Sequence, residues 1–276
     1  MNSVTAHDYA WIRTSPFFRQ ARQMGYALTL VQGRGPDEVL RAMQADPRGT
    51  AEGTAGLDEA NDAHRDEVDD YSDQSYIAGA FSTPGEHGDW TLVLGFDGGL
   101  GVEGTCAEAL SQGGGRVVAH STNGGKPIHL FHWYEDGELR TTFEGAWARD
   151  GSGPDELVPL LREVGFPLNP EGEYDESAPD IDGKAGVLAL AERLTGVRIT
   201  ESLLREATYQ LGLVPDQPAE EWTGLVVDIT DAHGRRLYRE WTYEEIASMP
   251  ARTLAEANPP VTIAYDEPLP PGSAER

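Results

Sequence analysis

Strand-like alternation of apolar and polar residues is densest between Asp89 and Gly145, where DWTLVLGF, GRVVAHSTN and PIHLFHWYEDGELRTTFEG follow one another. This pattern predicts four or five strands of one sheet. The sharp turn falls at Glu135-Asp136-Gly137-Glu138, because an Asp-Gly centre favours the mirror-image turns of a hairpin. Upstream, Gly25 to Val31 is short, β-rich and bounded by glycine, as a buried strand is. The N-terminal stretch Asp8 to Arg22 mixes Trp11, Ile12, Phe17 and Phe18 with arginines and predicts a short amphipathic helix interrupted near Pro16.

Helices are announced by a device used twice, GRGPDEVLRAM from Gly33 and GSGPDELVPLL from Gly151. In each, glycine caps, Pro36 or Pro154 takes the first helical position, and Asp-Glu meets the positive end of the helix dipole. Leu157, Leu160, Leu161 and Val164 then form one apolar face that Gly165 terminates. Val187, Leu190, Ala191 and Leu194 give a second helix ending at Gly196. Thr200 caps a third that carries Leu203, Leu204, Ala207 and Leu211.

Two acidic stretches interrupt this order. Residues 45–75 hold ten carboxylates against Arg48 and Arg65, with few large apolar side chains to offset the entropy of ordering, and are expected as a mobile loop insertion with a helical turn near Asp58 to Val68. Leu168 to Asp182 is a linker with six carboxylates and no basic residue. From Trp222, GLVVDIT and RRLYREW flank a hairpin turn, followed by a short helix at Tyr243 to Met249 and a strand VTIAY. About 50 residues are marginal as an independent fold, so this part is expected to pack on the main body. The expected class is α+β: a central, mostly antiparallel sheet covered by helices, with the acidic insertion and a small C-terminal α/β appendage. The main domain spans 1–215, the appendage 216–267 and a disordered tail 268–276.

Charge narrows the partners. The formal net charge of −26 opposes nucleic acid and anionic membrane, and it suits a protein partner with a basic face. Cys106 is the single cysteine, which excludes an intrachain disulfide, and no stretch of about 18 apolar residues occurs, so a cytoplasmic location is expected.

Candidate chemistry is thin. Gly99 to Gly104 spells G-x-G-x-x-G, yet the following helix is cut off by Gly113-Gly114-Gly115 and no acidic residue stands where a ribose partner belongs. His129 and His132 read H-x-x-H, but in a strand residues three apart point to opposite faces. Cys106 beside Ala107, Ala109 and Leu110 reads as a small core hydrophobe. No catalytic residue, metal site or cofactor is therefore expected. The binding-surface candidates are Trp90, Phe131, His132, Trp133 and Tyr134, since half of such strand aromatics fill a core and the other half can face a partner.

YALTLVQGRGPDEVLRAM, DWTLVLGFDGGLG, FHWYEDGELRTTFEG, GSGPDELVPLLREVGF and ALAERLTGVRITESLL together resemble an actinobacterial family of unknown function, numbered 6461, over about residues 24–213. The resemblance implies no activity and no site residue. Two function classes follow: a non-catalytic binding protein, immunity-like or regulatory, or an enzyme or small-molecule binder with a pocket between sheet and helices. A flat aromatic patch rimmed by acids favours the first, and a deep pocket lined by His132, Tyr134 and a carboxylate the second.

Overall fold

A computed structural model describes residues 4–18, 25–68, 75–96, 104–123, 129–215, 224–230, 234–242 and 245. The chain divides into two units, Met1–Gln217 and Pro218–Arg276. In the first, nine antiparallel strands form one sheet in the order β2-β9-β3-β4-β1-β5-β6-β7-β8. They are β1 Gly25–Gln32, β2 Asp46–Glu52, β3 Tyr76–Gly85, β4 Gly88–Phe96, β5 Arg116–Asn123, β6 His129–Glu135, β7 Glu138–Phe143, β8 Arg149–Asp150 and β9 Thr208–Val214. The class is α+β, as the pattern of the sequence implies.

Alternation sorts each strand between two cores. Tyr26, Leu28 and Leu30 of β1 join Leu92 and Leu94 of β4 in one, while Val31 and Val93 enter the other. Helices α1 (Pro36–Ala42) and α3 (Gly104–Ser111) cover the second face. The first is covered by a 3-10 helix at Ala6–Arg13 and by α2 (Gly53–Glu67), α4 (Val158–Val164), α5 (Gly183–Thr195) and α6 (Glu201–Glu206).

Local rules explain most boundaries. The β6–β7 turn places Asp136 at φ 51° and Gly137 at φ 80°, the two positive values a mirror-image turn requires. Gly35 caps α1 with Pro36 in its first turn, and Gly165 and Gly196 end α4 and α5 in the left-handed conformation. The Thr200 side chain accepts from the Leu203 amide at the start of α6.

Three expectations are corrected. Helix α4 starts at Val158, with 154–157 in turns: Pro159 has no N–H to return to the Asp155 carbonyl, so it is accommodated only in the first turn. Leu211 lies in β9, because α6 ends at Glu206 and extended backbone begins at Ala207. The acidic segment 45–75, expected as a loop, contains β2 and α2. One large apolar residue, Leu57, is fully buried against the glycine at position 79 of β3 and Tyr209 of β9, and this anchors the helix. β2 is an edge strand bearing Pro47 and a bulge between Pro47 and Gly49.

In the second unit β10 (Gly224–Thr230) and β11 (Arg236–Thr242) form an antiparallel hairpin, and Arg236 makes two bonds of 2.7 Å to the Asp228 carboxylate across it. The helix expected beyond Tyr243 and the strand VTIAY lie outside the described residues, apart from Glu245.

Candidate functional site

The strand aromatics singled out above do not form a surface. Trp90 is 1% exposed and Phe131 is fully buried. The Trp90 indole donates to the Glu86 carbonyl, and Phe131 stacks on Phe143 at 4.8 Å. Trp133 and Tyr134 are also buried. The physical reason is that helices cover both faces of the sheet, so alternation chooses between two cores rather than between core and water.

His132 and Tyr134 share the face beneath α3, with ring centroids 6.3 Å apart. Burial, then the Glu108 charge, raises the Tyr134 hydroxyl above its ordinary range, and burial lowers the His132 imidazole. His132 Nδ1 is buried with no hydrogen-bond partner among the described residues. Cys106 of α3 packs half-buried against this same core. Residues 99–103 of the glycine fingerprint and the His129 side chain lie outside the described residues. Among the described residues no group of three or more His, Cys, Asp or Glu is arranged to hold a metal ion, and no helix is long and apolar enough to cross a membrane.

An exposed aromatic pair stands elsewhere, at the β8 end of the sheet. Trp147 and Tyr174 are 55% and 43% exposed, and their rings meet edge to face at 5.1 Å. Trp147 sits on a turn closed by the bond from the Ala148 amide to the Gly145 carbonyl. Its ring folds back over Gly145, where an added Cβ would stand 2.8 Å from the indole.

Tyr174 is carried by the acidic linker, which is a closed loop. Leu168 bridges Tyr174, the Asn169 amide donates to the Glu173 carbonyl, and the Asp175 amide donates to the Pro167 carbonyl. Arg149 of β8 ties the two pieces together. Its side chain is 6% exposed, and the guanidinium donates to the carbonyls of Ala146, Pro154 and Gly172 and to Asp155. The pair is therefore held by backbone on both sides, which lowers the entropy lost when a ligand covers it.

Carboxylates are dense in the sequence on either side of the pair, and Asp180 and Glu176 act on the Tyr174 hydroxyl. Glu144, Glu171, Glu173, Glu176 and Asp180 are exposed. The Tyr174 hydroxyl donates to Asp180 at 3.2 Å, and this bond and the Asp180 charge raise the Tyr174 pKa. Hydrogen bonds from the Ser177 hydroxyl and amide hold the Asp175 carboxyl below its ordinary range, so it stays ionised. An aromatic surface beside carboxylates attracts cationic side chains both through ring quadrupoles and through charge. Its members are 27 positions apart in sequence, so no local pattern reveals the pair.

A family model matches residues 2–219, and it is described as a family of unknown function, DUF6461. The chain belongs to this family. The match takes in the N-terminal 3-10 helix, which lies before the span of 24–213 that the motifs mark. Neither the curated proteins nor the solved structures give a match.

Proposed function

We propose that this member of the family is a non-catalytic, cytoplasmic binding protein, immunity-like or regulatory, that recognises a protein with a basic face. The observation that supports it is the exposed Trp147–Tyr174 pair beside carboxylates. Tryptophan and tyrosine are the side chains that most often anchor an interface, and the neighbouring charges steer an oppositely charged partner and fix its orientation.

The test is recovery of the partner from host lysate at low and high salt, followed by binding kinetics. Trp147→Ala and Tyr174→Ala speed dissociation. Replacing Glu171, Glu173, Glu176 and Asp180 by their amides slows association and flattens its salt dependence. Recovery of a small molecule with no protein at either salt replaces this reading with the pocket reading, for which the buried, unpartnered His132 Nδ1 beside Tyr134 is the supporting observation.

A further inference from the structure

β3 is paired unequally on its two sides. β4 accompanies it from Ala78↔Gly95 to Gly85↔Gly88, whereas β9 accompanies it only from Tyr76↔Val214 to Ala80↔Gln210. Thr208 would face Ser82 if that ladder ran on, but the ladder stops at Ala80↔Gln210, and the chain before Thr208 turns into α6.

The direction of the unpaired backbone follows from Pro84 and Asp89, which face each other across β3 and β4. The Asp89 carbonyl accepts from the Gly33 amide at 2.9 Å on the β1 side, so it points away from β3. Pro84 and Asp89 are therefore a wide pair without ladder bonds, and the proline nitrogen faces the open side, where a strand proline is tolerated. Two residues back, the N–H and C=O of Ser82 face the same open side.

They open onto a notch of about 460 Å³ lined by Pro36, Ser82, Leu203, Glu206, Thr208 and Gln210. Gln210 Oε1 is buried with no hydrogen-bond partner among the described residues. Glu206 adds a carboxylate whose bond to Arg205 is an exposed one between sequence neighbours. The far end is closed where the Glu86 amide donates to the Thr195 carbonyl at 2.7 Å. Between that closure and Gln210, the open edge gives room for about three extended residues at roughly 3.3 Å each.

We infer that this notch binds a short extended segment of a partner protein that presents an arginine. The main chain of the segment pairs with the N–H and C=O of Ser82, and its guanidinium donates to the Glu206 carboxylate. Arginine fits better than lysine because its planar fork of donors matches the two oxygens of one carboxylate. The net charge of −26 favours such a segment at a distance. The inference rests on the binding reading above only in taking the partner to be a protein with basic residues, and the notch shares no lining residue with the Trp147–Tyr174 surface.

The experiment titrates the full-length protein with N-acetyl-arginine N-methylamide, followed by amide NMR, with the capped norleucine analogue and guanidinium chloride as comparisons. Capped arginine is expected to give saturable shifts at Ser82, Thr208 and the Gln210 side-chain amide, with binding about tenfold or more tighter than for capped norleucine. Glu206→Gln, a change at an exposed site, weakens it by about tenfold. Ser82→Pro removes only the outward N–H, so the β3–β4 ladder and the spectrum of the core persist while the probe's shifts at the notch are lost. Equal binding of capped norleucine overturns the inference, as does the absence of saturable shifts. Shifts confined to Trp147 and Tyr174 also overturn it, yet leave the aromatic surface standing. Saturable binding at the notch in a protein whose Trp147→Ala and Tyr174→Ala variants hold their partner unchanged overturns the aromatic surface and leaves the notch.

Discussion

The Arg13 guanidinium donates from Nε to Asp182 Oδ2 at 3.0 Å, while Oδ1 of the same carboxylate accepts from the amides of Lys184 and Ala185. One side chain thus caps α5 and ties it to the 3-10 helix. The cap is the more durable half, because Arg13 is largely exposed whereas Asp182 is not.

Burial by itself raises the Asp182 carboxyl, but the bonds from Arg13 and the helix amides outweigh it, and the net shift is downward. A carboxyl held lower in the folded state contributes stability above its unfolded pKa of about 3.9 and loses it as pH falls through the folded value. Asp182→Asn keeps a capping oxygen and loses the charge. Urea unfolding should show the variant less stable by about 1 kcal/mol at pH 7, with the gap narrowing as pH falls below the unfolded value. A constant gap across that range would rule the linkage out.

Leu57→Ala tests whether α2 is part of the folded body. Removal of a fully buried leucine between β3 and β9 should cost about 2–5 kcal/mol. An unchanged denaturation midpoint would mean that the segment 45–75 is the loop its composition suggests.

That segment shows where legibility ends. Helix ends announced by backbone chemistry at Gly35, Gly165, Gly196 and Thr200, and the Asp136-Gly137 turn, could be read because each depends on a few neighbouring residues. β2 could not, since a polar edge strand shows no alternation, and α2 was legible only as a helical turn near Asp58 to Val68, because Leu57 is its one large buried apolar residue. The strand aromatics failed for another reason. Alternation assigns Trp133 and Tyr134 to opposite faces correctly but is silent on what covers each face. The pairing of Trp147 with Tyr174 depends on Arg149 reaching the Gly172 carbonyl, a tertiary event without a local signature.

The two tryptophans should respond oppositely to truncation. Trp133→Ala opens the core and should lower stability by about 3–5 kcal/mol, whereas Trp147→Ala should stay within about 1 kcal/mol of the parent because its ring is more than half exposed. Chemical denaturation of both variants decides this, and equal losses would place Trp147 in the core.

Gly196 closes α5 at φ 70°, and a Cβ there would stand 2.5 Å from the Glu86 nitrogen. Gly196→Ala therefore combines left-handed strain of about 1 kcal/mol with a backbone collision at the bond from Glu86 to Thr195. Hydrogen exchange should show the β3–β4 turn opening faster in the variant. Exchange as slow as in the parent would show that the turn does not depend on the end of α5.

The margins of the sheet bear on how crowded copies meet. β2 offers a neighbour Pro47, which has no N–H to give, and a bulge that breaks the register, with Asp46, Arg48 and Glu52 along the same strand. β8 at the opposite margin is two residues long. Strands of this kind make poor templates for a further strand, so a sheet nine strands wide is capped against lateral growth, and its like-charged copies repel instead of zipping into fibres.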